Sequence, residues 1–212
     1  MFMNTVLERD QSVMLHNISW SSYEQITDAL QDETPAHFTY DDGRLEIMVL
    51  SLKHESLKKL LAMLFERLAD NLRVEIFAAG STTFRRKDLA RGFEPDESYY
   101  AEHAEMMRSR DTVDLNFDPP PDVTIEVDVH HSSIDRLSIF ASMGIKEVWR
   151  YDGGVVEILI LLDGSYALST QSRVLPGVEA AVVTELLEIG QSSKRTDFLQ
   201  RIDGYTGSIV RA

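Results

Sequence analysis

The segment DVTIEVDV, residues 122–129, restricts the fold more than any other part of the chain. It follows Asp118–Pro121, where three consecutive prolines exclude helix because proline fixes φ and has no amide donor. Over Val123–Val129, aliphatic and polar residues alternate with the period of a strand. The polar face of this strand carries Asp122, Thr124, Glu126 and Asp128. The sequence therefore predicts a strand with one face in the core and one acidic face.

A helix and a second strand are predicted directly after this strand. Ser132 or Ser133 can cap a helix that runs to about Met143, and Gly144 can end it. The next segment, IKEVWRY at 145–151, has the character of a strand. A crossover of this kind makes its two strands parallel.

The rest of the chain supplies helices and further strands. Leucines spaced along one helical stripe predict a long helix at 52–71, and Asp42-Gly43 predicts the turn of a hairpin. We expect an α/β fold with a mixed central sheet flanked by helices. Its predicted strands lie at about 73–86, 97–101, 123–129 and 145–151. We expect residues 1–15 to be a tail or edge segment, and 16–212 to be one domain with C-terminal helices from about 178.

Composition excludes several functional classes. The chain has no cysteine, which removes disulfides, thiolate metal sites and cysteine nucleophiles. Its formal net charge of −14 argues against non-specific binding to nucleic acid by the whole surface. No run approaches the roughly 18 apolar residues of a membrane span. Because Glu8 and Asp10 lie where a signal peptide would be apolar, we expect a cytoplasmic protein without a membrane partner.

The acidic face of the predicted strand needs an electrostatic explanation. Residues two apart on one face lie roughly 6.6 Å from each other, so ionised Glu126 and Asp128 repel. Exposure to water, a raised pKa in one acid, or a bound cation would each relieve this repulsion. Only exposure requires no functional role, and the sequence leaves these alternatives open.

A second acidic motif, Glu94-Pro95-Asp96, lies at the start of another predicted strand. A Pro-Asp at a strand start, a glutamate on a strand thirty residues later and a helix directly after it together resemble the PD-(D/E)XK, or restriction-endonuclease-like, fold. The stretches ARGFEPDESYY, PPPDVTIEVDVHHSSIDR and GIKEVWRYDG are similar to a large bacterial group of domains of unknown function classed with restriction endonucleases. This resemblance covers roughly residues 16–170.

The resemblance implies a metal centre. It makes Asp96 and Glu126 the metal ligands and Glu46 an early acidic residue that can complete the site. Asp128 replaces the superfamily lysine two residues after the glutamate, so we expect it to add a metal ligand or to accept a proton. The basic residue on the next helix is Arg136, which can clamp a phosphate but is a poor base. Oxygen ligands without cysteine favour a hard cation, Mg²⁺ or Mn²⁺.

By this resemblance we predict a metal-dependent endonuclease that hydrolyses DNA phosphodiester bonds and forms a homodimer. The alternative is a protein that keeps the nuclease fold for binding or regulation without turnover, in line with the missing lysine and the negative charge. A DNA-cleavage assay with metal separates the two hypotheses.

Three further groups of residues have alternative interpretations. Arg85–Lys87 with Arg91 could bind a phosphate backbone or form a solvated loop. His54 with the pair His130-His131 could bind zinc, although adjacent histidines on a strand point in opposite directions. Asp122 follows the prolines, which favours a turn or capping role.

Overall fold

The computed structural model describes residues 9–30, 34–128 and 133–209 as an α/β fold with two sheets. The strands are β1 Gln11–Leu15, β2 Ala36–Asp41, β3 Arg44–Val49, β4 Phe77–Ala78, β5 Phe84–Arg86, β6 Arg91–Phe93, β7 Glu97–Tyr100, β8 Val123–Val127, β9 Glu147–Tyr151, β10 Val156–Leu162 and β11 Ser165–Ser169. The helices are α1 Trp20–Leu30, α2 Leu52–Leu72, α3 Ala104–Met107, α4 Arg136–Met143, α5 Ala180–Ser192 and α6 Arg195–Ile209, with a 3₁₀ turn at Lys87–Leu89.

The predicted mixed sheet is the six-stranded one, in the order β11-β10-β9-β8-β7-β4. Strands β8 and β9 are parallel and are joined through α4, whereas β7 pairs with β8 in antiparallel orientation. The strand, helix, strand crossover expected from the sequence is therefore confirmed. The acidic strand occupies an inner position in this sheet.

The boundaries around the crossover differ from the prediction. Strand β8 ends at Val127, and Val129 lies outside the described residues, as does Ser132. Helix α4 begins at Arg136, because the side chain of Asp135 caps it by accepting a hydrogen bond from the amide of Ser138 at 3.2 Å. Ser133 is therefore not the cap. Gly144, with φ at 83°, ends the helix as predicted.

The five-stranded sheet has the order β1-β3-β2-β6-β5. Its β2–β3 hairpin turns at Asp42 and Gly43, which both have positive φ, as the sequence indicated. The region expected to form a strand pair at 73–86 instead gives two short strands, β4 and β5, which belong to different sheets. The segment Glu94–Asp96 links β6 in one sheet to β7 in the other.

Helices cover both faces of the six-stranded sheet. Helices α2, α5 and α6 pack on one face over Val123, Ile125 and Val127, which are buried. The opposite face packs with α4 against residues such as Tyr100 and Val148. Strand alternation places Glu126 on this second face, towards α4. Among the described residues, no helix combines the length and apolar character needed to cross a bilayer.

Candidate functional site

Asp96 and Glu126 lie together at one end of the β7–β8 pair. Glu97 is paired with Ile125 across these antiparallel strands, so continuing the register by one residue places Asp96 opposite Glu126. The amide of Val127 donates a hydrogen bond to Asp96 Oδ2 at 2.7 Å. Both acids are buried, with exposed fractions of 2% for Asp96 and 6% for Glu126. The solvated interpretation of the acidic face is therefore wrong for Glu126.

Glu126 is buried with only part of its charge compensated. Burial raises its pKa far above the ordinary value, the guanidinium of Arg136 opposes this shift, and the negative charge of Asp96 adds to it. Arg136 Nη2 lies 3.0 Å from Glu126 Oε2. Within the described chain, Glu126 Oε1 is buried without a hydrogen-bond partner. A buried acceptor of this kind is costly unless it binds something.

His54 neutralises Asp96. Its Nε2 lies 3.1 Å from Asp96 Oδ2, and its Nδ1 lies 2.8 Å from Asp10 Oδ2. Burial alone would lower the pKa of His54, but hydrogen bonds and charge interactions with Asp96 and Asp10 raise it to about 9. His54 is therefore a cation at neutral pH. In turn, burial would raise the pKa of Asp96, but His54, followed by Arg136, holds it below its usual range.

The local sequence around α2 explains how His54 reaches this position. Ser51 caps the helix by accepting a hydrogen bond from the amide of His54, which places the imidazole in the first turn. Asp10 then accepts a hydrogen bond from the amide of Ser51 at 2.7 Å. Asp10 thus connects the imidazole of His54 to the capping residue at the start of α2. Sequence reasoning missed Asp10 because no local pattern links it to a histidine 44 residues away.

Arg136 and Asp128 lie beside the acidic pair. Arg136 is the first residue of α4, and its Nη2 also donates to the carbonyl of Glu94 at 2.6 Å. In the described chain, its buried Nε has no hydrogen-bond partner. Asp128 directly follows β8 and is half-buried, with its amide donating to the carbonyl of Tyr151 at 2.8 Å.

Glu46 belongs to the other sheet. It is buried on β3, and its Oε1 accepts a hydrogen bond from the amide of Ser133 at 3.2 Å. This contact ties β3 to the segment that leads into α4. Glu46 therefore lies next to the segment that leads to Arg136.

A cavity of about 210 Å³ opens onto these groups. Its charged lining includes Asp10, His54, Glu126, Asp128, Asp135, Arg136 and Arg150. Its apolar lining includes Met48, Ile134, Leu137 and Phe140. A concave site with a few convergent charged groups on an apolar wall is typical of ligand and active sites.

The donor set fits a hard cation. Glu126 Oε1 is a buried, unpaired carboxylate oxygen, and Asp128 lines the same cavity. Mg²⁺ usually takes one or two carboxylates and completes its shell with water and substrate. Asp96 adds negative charge beside them, although its Oδ2 is already bonded to His54 and Val127. The two oxygens of Glu126 therefore differ in their availability to a cation.

A second group of potential metal ligands lies at the opposite end of β7 and β8. Among the described residues, Glu102, His103 and Asp122 have ligand atoms within 4.8 Å of one another. Asp122 Oδ2 already accepts hydrogen bonds from the amides of Ala101 and Glu102, at 2.9 and 3.0 Å. Lys146 lies 3.3 Å from Asp122 Oδ1 and also contacts Glu102. Both oxygens of Asp122 are thus already bound by the protein, in the turn-stabilising contacts that its position suggested. His103 Nδ1 is buried without a hydrogen-bond partner in the described chain and lies 3.9 Å from Asp122 Oδ2.

The other sequence candidates are engaged in structural contacts. Arg85 pairs with Asp28, Arg86 with Asp88, and Arg91 with Asp41. These arginines therefore do not form an open patch for phosphate. Both ring nitrogens of His54 bind carboxylates, which leaves neither for zinc, and His130 and His131 lie outside the described residues.

The comparisons with known proteins agree with the motif resemblance. No curated protein matches the chain. The profile of the Uma2 family, which carries the description "Putative restriction endonuclease", matches residues 20–196 and points to nuclease function. Since this match covers well over half of the chain, the protein belongs to the Uma2 family.

Proposed function

We propose that the protein is a metal-dependent endonuclease that hydrolyses DNA phosphodiester bonds at the end of the β7–β8 pair where Asp96 and Glu126 lie. One observation carries the proposal: Glu126 is buried beside Asp96 with an unpaired Oε1, in a cavity that Asp128 and Arg136 also line. Buried acids with perturbed pKa values in a cleft are candidates for catalytic function. The family match supports nuclease chemistry.

Glu126 and Asp128, with Asp96 beside them, would hold Mg²⁺ or Mn²⁺. The bound cation would supply positive charge that polarises a phosphodiester and offsets the charge of the acids. Glu126 would provide its free Oε1 for this purpose while Oε2 stays within reach of Arg136. Water and a phosphate oxygen would complete the shell.

Arg136 would bind the scissile phosphate. Its planar guanidinium carries several donors, and its Nε lacks a partner in the described chain. Its contact with Glu126 holds the side chain at the cavity before substrate arrives. Asp128, which stands where the superfamily has lysine, would accept the proton of the attacking water.

His54 and Asp10 would position Asp96. The hydrogen bond from His54 Nε2 fixes the carboxylate orientation, and Asp10 fixes the ring through Nδ1. The imidazolium also supplies a buried positive charge near the acidic pair. In this chain His54 and Arg136 together provide the cations that flank the site.

Plasmid and single-stranded DNA incubated with Mg²⁺ or Mn²⁺ test the proposal. We expect metal-dependent cleavage by the natural chain and none in EDTA. Glu126→Gln and Asp96→Asn should lose cleavage, whereas Glu105→Gln, an exposed acid on α3, should keep it. Cleavage that survives in both site variants would point to a contaminating nuclease and would contradict the proposal.

A second candidate is a nuclease-fold protein that binds or regulates without turnover. The observation in its favour is that Arg136 and His54 already compensate the acids, and no lysine follows Glu126 at the superfamily position. In that case the chain should bind DNA or a protein partner without cleaving DNA at any metal concentration. Homodimerisation is a separate prediction that sedimentation would test.

A further inference from the structure

A groove of about 690 Å³ runs between α2 and the α5–α6 junction. Lys53, Lys59 and Arg195 stand around a floor that includes Leu60, Met63 and Gly190. Gly190 allows the close approach here, because a Cβ at this position would lie 3.0 Å from a methyl carbon of Leu60. The groove is therefore built by helix packing.

The lining of this groove is positively charged, whereas the chain as a whole is negatively charged. The formal net charge is −14, yet the described lining residues include three cations and no acid. Lys59 pairs with Glu97, but 70% of its side chain remains exposed. Within the described chain, Lys53 makes no ion pair and Arg195 contacts the sulfur of Met63. Lys53 and Arg195 can therefore meet an anionic ligand without first losing a carboxylate partner.

The groove begins next to the candidate metal centre. Lys53 is adjacent in sequence to His54, which binds Asp96. Lys59 Nζ lies 2.6 Å from Glu97, the residue that follows Asp96. From Leu52 to Met63 the lined part of α2 extends for about 16 Å at 1.5 Å per residue. The cations thus follow a track that starts at the first turn of α2.

We infer that this groove binds the phosphate backbone of duplex DNA as it leaves the candidate centre, an inference that rests on the proposed function. A track of about 16 Å spans roughly five base-pair steps of a duplex, at 3.4 Å of helix axis per step. The described lining contains no aromatic side chain to stack unpaired bases, which favours backbone contact with a duplex over capture of a single strand. Lys53 and Arg195 contact phosphate oxygens, and the apolar floor sets the depth of approach.

The test is fluorescence anisotropy with a labelled duplex in EDTA, over a series of salt concentrations. The double variant Lys53→Gln with Arg195→Gln removes two exposed cations from the groove. We expect weaker binding and a slope of log K against log salt that is shallower by about 1.8, since each lost phosphate contact removes about 0.9. Lys53→Gln alone, a single exposed change, should remove about half of this.

The matched control is Arg173→Gln with Arg201→Gln, which removes the same charge from exposed positions outside the groove. Its binding and salt slope should stay close to those of the natural chain. An unchanged slope in the groove variants, or an equal loss in the control, would overturn the inference. So would stronger retention of single-stranded DNA than of duplex, or a change in sedimentation that showed the groove to be a contact between two copies.

The outcomes separate this inference from the proposed function. If duplex binding depends on the groove cations but no metal yields cleavage, the groove stands and the nuclease proposal fails. If Asp96→Asn abolishes cleavage while the groove variants bind and cleave like the natural chain, the nuclease proposal stands and the groove assignment fails.

Discussion

The antiparallel strands β7 and β8 carry a group of acids at each end, and the two groups are neutralised in different ways. At one end, Asp122 receives two backbone amides and Lys146, so both of its oxygens are bound. At the other end, Glu126 has one oxygen near Arg136 and one without a partner among the described residues. The first arrangement holds a turn. The second leaves a buried acceptor that a ligand can satisfy.

Proximity alone would have selected the Asp122 end. Among the described residues, Glu102, His103 and Asp122 bring their potential ligand atoms within 4.8 Å of one another, but amides and a lysine already occupy the oxygens of Asp122. The comparison teaches that the unmet hydrogen-bonding capacity of a buried acid is a better sign of function than the clustering of acids.

The largest expected difference between the ends is in activity. Glu126→Gln should reduce metal-dependent DNA cleavage by about 10²-fold or more, because it removes a proposed metal ligand and its charge. Glu102→Gln at the opposite end should leave the rate nearly unchanged. Initial rates on plasmid DNA measure both, and comparable losses in the two variants would remove the functional distinction between the ends.

The next difference is in the free energy of unfolding, which should depend more on Asp122 than on Glu126. Asp122→Ala should lower the free energy of unfolding by about 3 kcal/mol, because it leaves the amides of Ala101 and Glu102 and the nearby Lys146 without their acceptor. Glu126→Gln should cost less than about 1 kcal/mol, because it relieves the desolvation of a buried carboxylate. Urea denaturation measures both. A larger loss for Glu126→Gln would mean that its carboxylate is mainly structural.

Stabilisation of the fold by metal should depend on the acids at only one end of the strand pair. At a Mg²⁺ concentration about ten times Kd, the free energy of unfolding should rise by about 1.4 kcal/mol. This increase should vanish in Glu126→Gln and persist in Glu102→Gln. Thermal unfolding with and without Mg²⁺ measures the effect. Loss of the shift in Glu102→Gln instead would move the metal centre to the Asp122 end.

The last expected difference is in pH dependence. The pKa of His54 is raised from 6.5 to about 9 in the folded chain, so its stabilisation is complete below pH 6.5 and is lost as pH rises to about 9. We expect a decline of roughly 3 kcal/mol over this window, because each unit of pKa shift corresponds to about 1.4 kcal/mol, and His54→Gln should flatten it. The pKa of Lys146 is raised above its usual value, so the other end keeps its cation over the same range. Urea denaturation at a series of pH values across this window measures the decline. A decline that persists in His54→Gln would contradict the assignment.

The parts of the fold that were predictable depend on local patterns. Alternation identified β8, and Pro95-Asp96 placed an acid at the start of β7, because both signals lie within a few residues. Short strands were harder. Residues Phe77–Ala78 and Phe84–Arg86 are too brief to show a period, so their separation into two sheets could not be read from the sequence.

The electrostatics of the site were only partly predictable. The repulsion near Glu126 followed from strand geometry, but relief by a histidine from α2 depends on a long-range contact. His54 had no local signal beyond its residue type, and Asp10 lay in a segment expected to be a tail or edge. Helix α4 begins later than predicted because Asp135, and not one of the serines, caps it.

The hydrogen bond between Asp10 and His54 links assembly of the centre to completion of the N-terminal edge. Asp10 directly precedes β1, which pairs with β3 at the edge of the smaller sheet. A chain in which this edge strand has not docked keeps Asp96 and Glu126 but lacks the second carboxylate that holds the imidazolium in place. The candidate centre is therefore complete only when a segment far from it in sequence has paired with β3. Detachment of β1 would remove Asp10 from His54, and we expect this to loosen the imidazolium beside Asp96 while Asp96 and Glu126 stay in the six-stranded sheet.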